Sequence, residues 1–298
     1  MDSRVDAPLL VFVHLRKTAG TTLSYVMWRQ FRRGAAIDLN AATVEAANRT
    51  WNAMTAEQRA RVRCIRGHLP FGADLFAPRA VEFLTVLRDP VERVISEYFF
   101  NLTNAGQKHH AALTRGRITL DQYVHSELAA EAHNAQTRSL AGPDSGASPE
   151  AQLESAMTSL RDRIAVVGIS ERLDETLLLC RAVFGWRHVV YRRINVNRRR
   201  RPTATLAPAS LAAIEEANSL DRRLYRFACA RFEAMLHQHR VTPAQASRLR
   251  RASEAYGAIR RMLGFPREMW IEAQMAAARR RVAAAPRAET QARESKRL

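Results

Sequence analysis

The sequence predicts an α/β fold, a central and mostly parallel sheet flanked by helices, on three observations. Residues 9–13 (Leu-Leu-Val-Phe-Val) are an apolar, partly β-branched run followed by a small-residue loop and a helical stretch over 23–31. Residues 83–87 (Phe-Leu-Thr-Val-Leu) repeat the pattern and lead into a helix opening at Pro90. Residues 166–178 give it a third time, as a buried strand, a turn and an amphipathic helix. Strands that alternate with helices build parallel sheets, and strands buried on both faces read as continuous apolar runs.

The first unit carries the most chemistry. Between strand and helix stand His14, Leu15, Arg16, Lys17, Thr18, Ala19, Gly20, Thr21 and Thr22. A turn of small residues opening a helix offers backbone N–H groups and the positive end of the helix dipole to an anionic oxygen cluster. The nucleoside-triphosphate loop G-x-x-x-x-G-K-[ST] does not occur, because Lys17 precedes the small residues instead of following them. A strand–turn–helix without a ligand is the alternative for this motif taken alone.

The second unit adds a cation at a strand end. Arg88 closes the strand, Asp89 is a natural N-cap, Pro90 suits the first helical position, and Glu92 stands three after the cap. Ligands gather at the carboxyl ends of strands in open α/β sheets. Arg88 supplies a planar fork and Ser96, two helical turns on, a neutral hydroxyl, so the two can clamp one anion. A structural ion pair of Arg88 with Glu92 or Glu97 is the alternative. Between the two units lies Arg66-Gly-His-Leu-Pro-Phe-Gly72, with a short strand expected over 62–67. His68 follows a Gly at that strand's end and precedes a Pro/Gly turn, which points it into a cleft and makes it the candidate general base.

The order Lys-Thr-Ala-Gly-Thr-Thr after an apolar strand and a His resembles the 5′-phosphosulfate loop of sulfotransferases that use 3′-phosphoadenosine 5′-phosphosulfate. The closest likeness is sulfotransferase family 2, the carbohydrate enzymes with heparan sulfate 2-O- and 6-O-sulfotransferases and bacterial relatives, whose usual string is F-V-H-I-P-K-T-G-G-T-T-L. Arg16 replaces the Pro and Ala19 the first Gly; the first change alters loop stiffness, and the second requires a backbone conformation that tolerates a Cβ. The resemblance implies a P-loop-type sulfotransferase fold and a sulfuryl transfer to a carbohydrate or other hydroxylated acceptor. The product would be 3′,5′-adenosine bisphosphate. It further implies that the loop from Arg16 to Thr22 holds the 5′-phosphate, that Lys17 meets the bridging oxygen, and that Arg88 and Ser96 hold the 3′-phosphate. The G-H-x-x-F segment makes His68 the base. The stretch 134–142 resembles a family segment of N-x-Q-T-R-x-L-x-G form, a helix ended by Gly142, with Arg138 toward the cleft. His14 supports the loop or joins the acceptor side with His109. Arg198 and Arg199, in a basic loop over 195–202, would cover the adenosine end; a solvated arginine run is the alternative. Residues 217–232 resemble the closing helix, with Leu220, Leu224, Phe227 and Phe232 as its core stripe. No metal is expected, since Lys17 and the helix dipole take the role Mg²⁺ plays in kinases, and no C-x-x-C or H-E-x-x-H string occurs.

Composition sets the remaining bounds. The chain has 298 residues, enough for one large α/β core with an appendage. No stretch approaches the roughly 18 apolar residues of a membrane span, and residues 1–6 lack a signal peptide's apolar core, so the expected location is the cytoplasm. Cys64, Cys180 and Cys229 are odd in number and expected to be buried and reduced. Forty-seven Lys and Arg against 29 Asp and Glu give a net charge of +18, concentrated over 192–201 and after 248. That surplus suits an acidic glycan, peripheral contact with anionic lipid headgroups or nonspecific nucleic-acid binding; a GC-rich coding bias accounts for it equally well. A sulfotransferase domain is expected over 1–240 and a helical extension over 241–298, with helices at 243–263 and 267–282 and a disordered tail from 287. The extension would pack on the core, form a homodimer contact or line an acceptor groove. A P-loop kinase and a basic nucleic-acid-binding protein are the alternatives, the latter with no recognition motif beyond charge.

Overall fold

A computed structural model describes residues 8–31, 35–41, 43–69, 71–72, 80–142, 145–146, 148–192 and 206–263. Among them run five strands: β1 (Leu9–Val13), β2 (Ala36–Asp38), β3 (Cys64–Gly67), β4 (Val81–Leu87) and β5 (Ile164–Ile169). They form one sheet in the order β2-β3-β1-β4-β5, and every pairing is parallel. Val11 lies opposite Ile65 and Phe83, and Val13 opposite Gly67 and Thr85. All five residues of β1 are buried, which is why this strand reads as an unbroken apolar run. The edge strand β2 was not anticipated. It has three half-buried residues and no periodicity to read.

The helices are α1 (Gly20–Trp28), α2 (Val44–Asn52), α3 (Ala56–Arg61), α4 (Pro90–Thr103), α5 (His110–Arg115), α6 (Leu120–Val124), α7 (Ala135–Ala141), α8 (Pro149–Thr158), α9 (Leu173–Phe184), α10 (Pro208–Ala217), α11 (Ser219–Gln238) and α12 (Pro243–Leu263). The expected helix over 23–31 therefore starts three residues earlier, at Gly20, and the strand expected over 62–67 begins at Cys64. Asp89 caps α4 as its side chain implies, accepting from the Glu92 N–H at 3.0 Å with Pro90 in the first turn. Gly142 ends α7 at φ 80°, a left-handed stop that suits glycine.

Among the described residues two apolar clusters hold the fold. The larger surrounds the sheet and includes Phe12, Ile65, Leu84, Val166 and Leu177. The smaller sits on the outer side of α4, where Val94, Ile95 and Tyr98 meet Leu113, Tyr123 and Ile214. Helix α11 buries Leu220, Leu224, Ala228 and Phe232, a strict four-residue repeat, so Phe227 of the expected stripe is only half-buried and Ala228 takes its place. Cys64 and Cys180 are buried as expected, whereas Cys229 is half-buried. Helix α12 joins the main core through Leu249, and its Ser253 Oγ accepts from the Tyr191 N–H at 3.2 Å. The segment from 267 to the end lies outside the described residues.

Candidate functional site

From β1 the chain crosses to β2 and β3 on one side and then to β4 on the other, so the carboxyl ends of β3, β1 and β4 stand side by side at a switch point of the sheet. This is where open α/β sheets bind ligands. The β1 loop turns there by two left-handed residues, Lys17 at φ 68° and Ala19 at φ 64°. Ala19 thus does not adopt the Cβ-tolerant conformation expected of it. Its backbone lies where an L side chain costs about 1–2 kcal/mol. The Ala19 carbonyl accepts from the N–H groups of Thr22 and Leu23, and Thr18 Oγ1 donates to the Leu15 carbonyl at 2.9 Å. The N-cap residue Ala19 offers no side-chain cap to α1. Thr18 and Thr22 are buried, Thr21 half-buried. The Lys17 ammonium rests 3.5 Å from the Phe100 ring centroid, and Arg16 reaches from the exposed rim to Glu97 Oε1 at 3.0 Å.

Two histidines stand beside the loop. His14 is sandwiched between Phe12 (ring centroids 5.3 Å) and His68 (4.4 Å). Its ring fills the space beside Gly20, where a Cβ would meet His14 Nε2 at 1.7 Å. This is a packing position under the loop and not one facing an acceptor. His68 Nδ1 lies 2.6 Å from the His14 carbonyl oxygen. A carbonyl only accepts, so Nδ1 carries the proton and Nε2 of the neutral ring keeps its lone pair. Desolvation pushes both histidines below their ordinary range, His14 strongly, although His68 keeps an exposed edge; the His68 ring, Arg66, Lys17 and Arg16 push His14 the same way. For His68 the hydrogen bond to His14 opposes the shift in part, while Arg16 and Arg66 add to it. Gly67 precedes His68 because a Cβ there would strike the Leu39 carbonyl at 1.6 Å.

Arg88 comes to the same place from β4, donating from Nη1 to the Lys17 carbonyl at 3.0 Å. Its fork is shared with acids: Nη2 is 3.4 Å from Glu92 Oε2, and Nε is 3.7 Å from Glu171 Oε1. The Glu92 pair that the sequence left open is present, and Glu97 turns to Arg16 instead. Ser96 is half-buried and its hydroxyl bonds to no described residue. Gln136 brackets the Arg88 backbone with both ends of its amide, each at 2.9 Å. Asp221, fully buried, takes the N–H groups of Gln136 and Thr137 and the Thr137 hydroxyl. The Asn-x-Gln-Thr segment therefore ties the Arg88 turn to α11. Arg138 does not face the cleft: it is exposed and donates to the Glu131 and His133 carbonyls. Arg198 and Arg199 lie outside the described residues.

Sequence reading missed a third feature. Arg93, Glu97 and Asn101, four residues apart on α4, are all buried although all are polar. With Arg16 and His109 they line a cavity of about 120 Å³ beside the loop. The spacing was visible, but no sequence signal distinguishes a buried polar stripe from a solvated helix face.

The sequence profile of galactose-3-O-sulfotransferase matches residues 3–265. The chain belongs to the galactose-3-O-sulfotransferase family. Galactose-3-O-sulfotransferase 2 of Homo sapiens is 26% identical over 239 residues, covering 72% of this chain and 58% of that protein. The chain thus spans less than two thirds of that relative's length. The likeness to carbohydrate sulfotransferases stands. Its narrower assignment to the heparan sulfate 2-O/6-O branch gives way, because the short loop string on which it rested is outweighed by a match along most of the chain. The kinase and nucleic-acid alternatives gain no support from this family. Among the described residues no group of His, Cys, Asp and Glu is arranged to hold a metal, and no helix is long and apolar enough to cross a membrane.

Proposed function

We propose that the protein moves a sulfuryl group from 3′-phosphoadenosine 5′-phosphosulfate to a carbohydrate hydroxyl, through a sulfotransferase fold of the P-loop type. The galactose 3-hydroxyl named by the family is the first acceptor to test. One observation carries the reading: a loop shaped for an anion and a neutral His68 with Nε2 unprotonated end adjacent strands of the sheet. The start of α1, where Ala19 offers no capping side chain, suits the approach of phosphate oxygens to backbone N–H groups.

In this reading the acceptor oxygen attacks sulfur, the bond from sulfur to the 5′-phosphate oxygen breaks in line, and 3′,5′-adenosine bisphosphate leaves. His68 Nε2 takes the acceptor proton, a role worth about 10²–10⁴-fold. Lys17 neutralises the charge that builds on the departing oxygen. The Phe100 face is one contact of its ammonium, worth about 0.5–1 kcal/mol. Thr21, Thr22 and the N–H groups after Ala19 hold the 5′-phosphate. Arg88 and Ser96 hold the 3′-phosphate once Arg88 exchanges its carboxylate partners for it, with Arg198 and Arg199 at the adenosine end. His14 serves the loop's shape. Transfer of labelled sulfate from the donor to methyl β-D-galactopyranoside tests the proposal. His68→Ala should lower turnover at least a hundredfold while 3′,5′-adenosine bisphosphate still binds; turnover close to wild type would remove His68 from the reaction.

A further inference from the structure

The buried stripe of α4 faces an unfilled demand for hydrogen bonds. Glu97 Oε1 is taken by Arg16, but Glu97 Oε2 has no hydrogen-bond partner among the described residues, and the residue is only 8% exposed. Arg93 Nε and His109 Nε2 are likewise buried without a hydrogen bond, each beside a carboxylate, 4.0 Å from Asp221 Oδ2 and 3.6 Å from Glu131 Oε2. All three side chains line the same cavity. Buried polar atoms are nearly always satisfied, and a carboxylate oxygen left bare is costly. The demand is mixed in kind: Glu97 Oε2 can only accept, and Arg93 Nε can only donate. A hydroxyl does both at once. An anionic group would face Glu97 and Glu131 across the cavity, and Arg93 already has the Asp221 carboxylate beside it.

We propose that this cavity seats the acceptor, a neutral sugar ring held through its hydroxyls, with Glu97 as the binding anchor. The assignment rests on the sulfotransferase reading, since it treats the occupant as the group to be sulfated. The hydroxyls bound here are remote from the transferring oxygen. The cavity reaches the donor loop through Arg16, whose guanidinium holds Glu97 Oε1 and leaves Oε2 turned to the sugar. An Arg at that loop position therefore does what a Pro could not, by linking the acceptor's anchor to the phosphate loop.

Calorimetric or saturation-transfer titration of the full chain tests this, using methyl β-D-galactopyranoside and, separately, the sodium salt of methyl β-D-galactopyranosiduronic acid. The neutral glycoside should bind, and the uronate about tenfold more weakly or not at all. Glu97→Gln should weaken the neutral glycoside about tenfold by removing a charge-assisted acceptor, while 3′,5′-adenosine bisphosphate still binds. Ser139 is half-buried on the cavity wall, and Ser139→Leu should abolish glycoside binding without lowering the melting temperature. Equal binding by wild type and both variants would locate the sugar elsewhere and overturn the assignment. So would a uronate that binds as well as the neutral ring, or a protein that binds the bisphosphate but no glycoside, its cavity then holding only water. Glu97-dependent glycoside binding without bisphosphate binding would sink the donor reading and leave the cavity assignment standing.

Discussion

Replacing Gly20 by Ala tests how the loop is held. An ideal Cβ at Gly20 would sit 1.7 Å from His14 Nε2 and 2.1 Å from Cδ2, far inside any real contact. Relief would require the imidazole to move, yet the ring is stacked on Phe12 at 5.3 Å and on His68 at 4.4 Å. Its main chain is also fixed, with the His14 N–H donating to the Gly67 carbonyl at 2.9 Å. Forcing a methyl into a packed site of this kind costs about 1–3 kcal/mol. His14→Ala alone is destabilising through the space it leaves. In the double variant, however, the new methyl has the vacated space to occupy. The summed single costs should therefore exceed the double cost by about 1–2 kcal/mol, a coupling expected only between residues in contact. Urea unfolding of the four proteins at pH 7.5 measures the cycle. Additivity within about 0.5 kcal/mol, or a Gly20→Ala protein as stable as wild type, would refute the packing argument and with it the view that His14 shapes the loop.

Ala19→Gly should raise stability by roughly 0.5–1 kcal/mol: the left-handed strain of about 1–2 kcal/mol is released, and the greater freedom of glycine in the unfolded chain takes back about 0.4–1 kcal/mol; a fall in the urea midpoint would contradict the φ of 64°. The folded chain holds His14 neutral well below its ordinary pKa, whereas the unfolded chain takes up that proton below about pH 6.5. Stability should therefore fall as pH drops from 6.5 toward the folded value, by up to about 1.4 kcal/mol per unit from this one group, and His14→Gln should flatten the slope between pH 6.5 and 5.5. The acid limb of kcat/KM should likewise lie below the ordinary histidine range, because His68 is also shifted down, by burial first. Glu92→Gln removes a carboxylate 3.4 Å from Arg88 and should tighten 3′,5′-adenosine bisphosphate about two- to fivefold, the worth of a partly exposed pair; weaker binding in calorimetry would show that Glu92 orients Arg88 instead of competing for it.

Local features of this chain were legible and cross-chain ones were not. Asp89-Pro90 announced the start of α4 because capping is decided within four residues. The apolar runs of β1 and β4 announced a parallel sheet because both faces of each are covered. The Lys-Thr-Ala-Gly-Thr-Thr string marked the loop, but not that Ala19 would be strained, since φ is set by where the loop must return to α1. Gln136 and Asp221 were passed over for another reason. Each acts through backbone groups that are distant in sequence, Gln136 on Arg88 and Asp221 on Gln136 and Thr137, and a side chain whose partner is main chain leaves no complementary residue type to find. Arg138 misled in the opposite sense. A long cation beside a cleft motif reads as a ligand contact, while helix-end carbonyls are an equally good partner and one that sequence does not display.

Helix α4 is the element through which these parts become one site. Its first turn fixes Arg88 through the Asp89 cap, Phe100 receives the Lys17 ammonium, and Glu97 holds Arg16. Arg88 in turn grips the Lys17 carbonyl, so the loop is tethered to α4 or its entry turn at three points within two residues. In the loop it resembles, a Pro before the Lys limits φ covalently. Here Arg16 leaves φ free, and the restraint is rebuilt from contacts, each worth about 0.2–1 kcal/mol at an exposed or partly exposed position. Restraint of that kind is conditional. Under the proposed function, two of the three tethers are charges that an incoming phosphate also attracts, so binding the donor would loosen the loop's hold on α4 as it replaces it. In the proposed reading the Arg16–Glu97 pair, which lines the cavity, is the tether that keeps loop and helix in register while Lys17 and Arg88 change partners.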